Sequence, residues 1–147
     1  MTDAPSVDVL LAEDNPYDAE LLIRAIRQSE LVRGVHWVRD GIQALDFLRC
    51  RGEHAGRDPR QRPRLVLLDL KMPKVDGLDV LRALKADADF VVPIVMITSS
   101  GEERDVVESY ALGVNSFVVK PVDGFELTRA IRTLCTYWLA LNRVPEG

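Results

Sequence analysis

Five short, apolar, largely β-branched runs, each separated from the next by a longer amphipathic stretch, constrain this chain more than any other feature of its sequence. Alternation of this kind marks βα units wound around a parallel sheet. Strands are predicted over residues 7–12, 35–39, 65–69, 93–98 and 116–119. Three of them are nearly all apolar, as strands covered on both faces must be.

The intervening stretches carry local helix signals. Asn15 is placed to cap the first helix, with Pro16 at the position where a missing N–H costs nothing and Leu21, Leu22, Ala25 and Ile26 as the inward stripe. A second helix is predicted from Asp40 with Ile42, Leu45 and Leu48 inward, and a third from Gly77 with Leu78, Leu81 and Leu84. Ser100 and Glu103 have capping-box spacing for the fourth, and the fifth runs from Asp123 towards Leu141. Five such units predict an α/β class, flavodoxin-like, doubly wound fold: a five-stranded parallel sheet in the order 2-1-3-4-5 with helices on both faces.

The 147 residues suffice for one domain. It is expected to span 7–141, with tails over 1–6 and 142–147 too short for a further module, so that any output comes from the domain itself. A net charge of −4 offers no uniformly basic surface for nucleic acid, and no apolar run approaches the roughly 20 residues of a membrane span. Cys50 and Cys135 form no metal-ligand spacing with each other or with His36 and His54. The expectation is a cytoplasmic protein with neither nucleic acid nor membrane as partner.

In open α/β sheets, ligands bind beyond the carboxyl ends of the strands. Here those ends read Glu13-Asp14, Asp69, Thr98-Ser99 and Lys120-Pro121, each polar after an apolar run. In the expected order, strands one and three are neighbours about 4.8 Å apart, which gathers Glu13, Asp14 and Asp69 into one pocket. Each ionised pair near 4 Å would repel by about 4 kcal/mol at an effective dielectric of 20, so protons or a cation must neutralise them. A hard, all-oxygen site suits Mg²⁺, with Mn²⁺ as a substitute. Asp69, ionised at neutral pH, can act as a nucleophile towards phosphorus, with Lys120 offsetting the charge that develops and Thr98 bonding a phosphoryl oxygen.

Taken together, Leu11-Ala12-Glu13-Asp14-Asn15, Asp69-Leu70-Lys71-Met72-Pro73-Lys74-Val75-Asp76-Gly77, Thr98-Ser99-Ser100 and Lys120-Pro121 resemble the chemotaxis-type response regulator receivers, over almost the whole chain. The resemblance implies a two-component switch rather than an enzyme, in which a histidine kinase phosphorylates Asp69. It implies a metal held by Glu13, Asp14, Asp69 and the Lys71 backbone carbonyl, and a switch pair of Thr98 and Phe117 that reshapes the face of the fourth helix, fifth strand and fifth helix. It also implies a cis bond before Pro121 that aims Lys120 into the site. The basic segment before the third strand and the aromatic last helix look similar to the response regulators that partner bacterial phytochromes.

Other residues carry plainer readings. Asp76 and Gly77 serve the turn and start of the third helix, His36 and His54 are structural or solvated rather than ligands, and Lys71 has a solvated side chain. Six arginines between residues 49 and 64 fit a solvated loop, with a docking surface for an acidic partner as the rival account. The last helix is more apolar than one buried face requires, which predicts a homodimer anchored by Tyr137, Trp138 and Leu139. Two functional rivals stand beside the switch: a magnesium-dependent aspartyl-phosphate phosphohydrolase, against which the missing second acid of Asp69-Leu70-Lys71 argues, and a phosphorylation-independent adaptor.

Overall fold

A computed structural model describes residues 7–145, so the tail at 1–6 and the last two residues of the tail at 142–147 lie outside the described residues. The elements run β1 (Val9–Ala12), α1 (Pro16–Gln28), β2 (Val35–Val38), α2 (Gly41–Leu48), a 3₁₀ turn (Gly52–His54), β3 (Leu65–Leu68), α3 (Gly77–Lys85), β4 (Ile94–Thr98), α4 (Glu103–Ala111), β5 (Ser116–Val119), α5 (Gly124–Cys135) and a π-helical extension (Thr136–Leu141). The five strands are parallel, as the alternation predicts, and stand in the expected flavodoxin-like order β2-β1-β3-β4-β5. Successive side chains of a strand point to opposite faces, and this divides the apolar residues into two cores. Leu10, Ala12, Val66, Leu68, Ile94 and Met96 pack under α2 and α3. Val9, Leu11, Leu65, Leu67, Val95 and Ile97 pack under α1 and α5.

Asn15 caps α1 as expected, and Asp40, Asp76 and Asp123 cap α2, α3 and α5 in the same way, each side chain accepting from backbone N–H groups two or three residues on. The inward stripes differ in rotation. Ala19, Leu22, Ala25 and Ile26 face the core from α1, whereas Leu21, one residue or about 100° away, is 38% exposed. In α2 the core face is Gly41, Ala44 and Phe47, and Ile42 is exposed while Leu45 and Leu48 are only partly buried. The small residues let the helix approach the β3–α3 loop: a Cβ on Gly41 would lie 2.8 Å from Val75 Cβ.

Three other expectations are corrected. Ser100 and Glu103 form no capping box; α4 starts at Glu103, Ser100 lies outside its cap, and the Ser100 hydroxyl donates to Asp105 Oδ2 at 2.9 Å instead. No peptide bond among the described residues is cis, so Lys120 reaches its position from a trans bond, the isomer favoured by about 0.5–1 kcal/mol before proline. The arginine-rich segment is more than a solvated loop. Arg49 donates to the Ala83 carbonyl at 3.2 Å, Arg62 to the Asp89 carbonyl at 3.2 Å, Arg57 to those of Phe47 and Gln61, and Arg64 to that of Leu139. A guanidinium offers five donors in a rigid fork, which suits it to bridging carbonyls of different elements. Arg57 also lies over the Phe47 ring at 3.7 Å, against which His36 stacks and His54 packs edge-on.

The chain end differs from the expected anchor set too. Leu139 is 7% exposed and belongs to the core under α1 and α5, so it is spent within the protomer, and Trp138 is partly buried beside it. Tyr137 is 48% exposed. Among the described residues, no helix is long and apolar enough to cross a membrane.

Candidate functional site

Strands β1, β3 and β5 continue their backbone pairing one residue past their ends, and that places the polar residues side by side. The N–H of Glu13 donates to the Val38 carbonyl at 3.0 Å, that of Asp69 to the Ala12 carbonyl at 3.0 Å, and that of Lys120 to the Thr98 carbonyl at 2.8 Å. Glu13, Asp69 and Thr98 are consequently buried, and Asp14 turns out to solvent at the start of α1. Carboxylate oxygens of Glu13, Asp14 and Asp69 lie within 4.8 Å of one another.

Lys120 is the counterweight. Its ammonium contacts Glu13 Oε1 directly, stands 3.1 Å from Asp18 Oδ2 and 3.6 Å from Asp69 Oδ2, and its side chain is only 7% exposed. Burial alone would lower its pKa. The hydrogen bonds that it donates to Glu13 and Asp18, together with the charges of Asp69 and Glu13, outweigh burial and hold its pKa above that of an ordinary lysine. Glu13 is pushed up to about 8, first by burial and then by its contact with Asp69, with Lys120 pulling the other way. Its Oε2 atom is buried and receives no hydrogen bond. Two carboxylates in contact need a shared proton or a cation between them, so the orphaned oxygen and the all-oxygen donor set fit a divalent ion such as Mg²⁺ or Mn²⁺.

Gly77 brings the next helix hard against this pocket. Its N–H donates to the Leu70 carbonyl at 2.8 Å, and a Cβ there would collide with the Asp69 carbonyl and sit 2.9 Å from Leu70 Cα. Asp76 caps the same helix. Both residues thus serve backbone geometry, but geometry that fixes Asp69.

Thr98 and Phe117 share a face of the sheet. Met96 pairs with Phe117 and Thr98 with Val119, so the threonine and the ring are diagonal neighbours. Thr98 Oγ1 accepts from the Ser100 N–H at 3.2 Å, while Phe117 is half-buried against the core under α2 and α3. Lys71 is exposed in the loop after Asp69. Tyr137, Trp138 and Leu139 lie far from the pocket, in the helical extension that Arg64 tethers near the other end of β3.

Two participants were not read from the sequence. Asp18 lies in the first turn of α1, four residues after Asp14, and that spacing was the available signal. Trp37 donates from Nε1 to the Glu13 carbonyl at 2.7 Å and carries the Arg39 guanidinium on its ring at 4.6 Å; no local pattern announces it.

Comparison with known proteins agrees with this geometry. A profile of the response regulator receiver domain matches residues 9–132. The chain is 40% identical over 138 residues to a probable methanogenesis regulatory protein, FilR2, of Methanothrix harundinacea, covering 93% of this chain and 86% of that one. It is 34% identical to response regulator Rcp1 of a Synechocystis species, covering 97% and 96% of the two chains. The Mn²⁺-bound crystal structure of Rcp1 superposes with a TM-score of 0.86 over 96% of this chain and 99% of that one. The bacteriophytochrome response regulator AtBRR is 48% identical with a TM-score of 0.72, covering 95% and 100%.

Proposed function

The chain belongs to the response regulator receiver family, and from that footing we propose that it is the phosphoacceptor of a two-component system, taking a phosphoryl group onto Asp69 from a sensor histidine kinase. One observation carries the reading: the Lys120 ammonium is held 3.6 Å from Asp69 Oδ2 in a pocket shared with two further carboxylates. Asp69 supplies the electron pair; as its P–O bond forms, the P–N bond of a phosphohistidine breaks and the imidazole leaves. Lys120 and Thr98 contact the transferred group, the ammonium opposing charge on its oxygens and the hydroxyl bonding one of them. Glu13, Asp14, Asp69 and the Lys71 carbonyl would hold Mg²⁺, or Mn²⁺ in its place, which when bound neutralises charge between the acids and the phosphoryl oxygens. The chemistry is limited to this self-phosphorylation and to hydrolysis of the acyl phosphate, in which water takes the phosphoryl group as inorganic phosphate and the Asp69 carboxylate leaves, with no external substrate turned over.

Signalling follows from the neighbours of Thr98. Drawing its hydroxyl towards a phosphoryl oxygen breaks the bond from the Ser100 N–H, and Ser100 in turn holds Asp105 at the start of α4. That helix buries only Asp105 and Ser109, so little apolar contact resists its movement, and the space freed beside β5 admits the Phe117 ring. Val107, Tyr110, Val119 and Phe125 form an exposed apolar face on α4, β5 and α5 for a partner to read. A homodimer using the last helix, with Tyr137 at its centre, and a cytoplasmic location belong to the same proposal.

The likeness to the bacteriophytochrome response regulator AtBRR supports a phytochrome kinase as the donor. Incubation of the full chain with acetyl phosphate and Mg²⁺, followed by intact mass, tests the central claim. One phosphoryl group is expected on the wild type and none on Asp69→Asn; equal labelling of both would overturn it.

A further inference from the structure

Lys120 has three ammonium protons and three carboxylate neighbours, and two of those neighbours change during the reaction. Glu13 and Asp69 belong to the cluster that fits a divalent ion, and Asp69 becomes a mixed anhydride once phosphorylated, losing its own charge. Asp18, at 3.1 Å, stands outside that cluster. Resting on the phosphoacceptor reading, we propose that Asp18 is a positioning residue of this site: it anchors the Lys120 ammonium in the pocket when Glu13 and Asp69 are engaged elsewhere.

The backbone at Asp18 is built to hold a fixed point. Pro16 pre-sets the first turn of α1, the Asp18 N–H donates to the Asn15 side chain at 3.2 Å, and Ala19 and Leu22 seat the same turn in the core. The Asp18 side chain is 36% exposed against 7% for Lys120, which places the carboxylate at the mouth and the ammonium inside it. A lysine stem has four rotatable carbons and no planar preference of its own. Held by Asp18, its remaining protons stay directed at the Asp69 side of the pocket; released, the ammonium follows the solvent out.

The sign of the effect separates an anchor from a bystander. Removing a bystander carboxylate from an overcrowded acidic pocket favours approach of an anionic phosphodonor and speeds transfer. Removing an anchor slows it, because a misplaced group loses its contact with the reacting oxygens.

Wild type, Asp18→Asn, Asp18→Ala, Lys120→Ala and the Asp18→Ala/Lys120→Ala pair, as full chains, are phosphorylated by acetyl phosphate at saturating Mg²⁺ and followed by intact mass. Thermal unfolding confirms the fold of each, and Asp18→Asn, which keeps the side chain's shape, carries the comparison should Asp18→Ala fail to fold. The expected rate loss is about tenfold for Asp18→Ala and about threefold for Asp18→Asn, whose amide oxygen still accepts a hydrogen bond, with no weakening of Mg²⁺ affinity. In the Lys120→Ala background, removing Asp18 should slow the reaction no further. A readout free of turnover is the Lys120 ammonium resonance of ¹⁵N-lysine-labelled protein without added metal, expected in the wild type and broadened away in Asp18→Ala. An unchanged or raised rate in the Asp18 variants, the same loss with and without Lys120, or an ammonium signal indifferent to Asp18 would each overturn the role. Failure of the wild type to label on Asp69 would instead overturn the phosphoacceptor reading, and the anchor with it.

Discussion

Divalent-ion binding to this pocket should depend steeply on pH, with Glu13 as the cause. Its carboxyl titrates at about 8 in the folded chain because it is buried against Asp69, whereas an unperturbed glutamic acid does so near 4.5. The bound proton therefore adds stability to the metal-free fold that is fully present below about 4.5 and is lost as pH rises through about 8. An ion that binds only the ionised form must displace that proton. At pH 6 about one Glu13 in a hundred is ionised and at pH 8 about one in two, so apparent Mg²⁺ affinity should rise about fiftyfold between them. The structure supplies the assay, since Trp37 donates to the Glu13 carbonyl and its fluorescence will report an ion arriving there. Titrations at pH 6, 7 and 8, with Trp37→Phe to identify the signal, should show this trend in the wild type and lose most of it in Glu13→Gln. An affinity flat across that range, or a slope retained in Glu13→Gln, would refute the assignment of the shared proton.

Other consequences of the packing are independent of the chemistry. Gly77→Ala forces a Cβ against the backbone at Asp69 and Leu70, and urea unfolding should show a loss of about 3 kcal/mol together with slower phosphorylation. Leu139→Ala should cost about 2–4 kcal/mol, because the side chain fills the core under α1 and α5, whereas Tyr137→Ala should stay within about 0.5 kcal/mol and show its effect in sedimentation at high protein concentration. Asn15→Ala removes the acceptor for the Tyr17 and Asp18 N–H groups, with an expected loss of about 1 kcal/mol in the same unfolding measurement.

The alternation of strands and helices, the polar residues at the strand ends and the cap at Asn15 could be read from the chain because each rests on neighbours in sequence. Asn15, Asp40, Asp76 and Asp123 bond N–H groups two or three residues away, and an apolar run long enough to be covered twice declares itself by composition. Helix rotation was less legible. In α1 and α2 several apolar residues compete for one inward face, and only contact with the sheet decided for Ala19 over Leu21 and for Phe47 over Ile42.

The sequence by itself determined that acids, a threonine and a lysine would stand at the carboxyl edge of a parallel sheet, since a period of two and a βα crossover leave those ends nowhere else to go. Only the tertiary structure decided who touches whom. The bond between Lys120 and Asp18 joins residues 102 apart in the chain and that between Trp37 and Glu13 joins residues 24 apart, and no local periodicity encodes such separations. The raised pKa of Glu13 has the same origin. It arises because burial and a second carboxylate arrive together, which happens when the strands close side by side and not before.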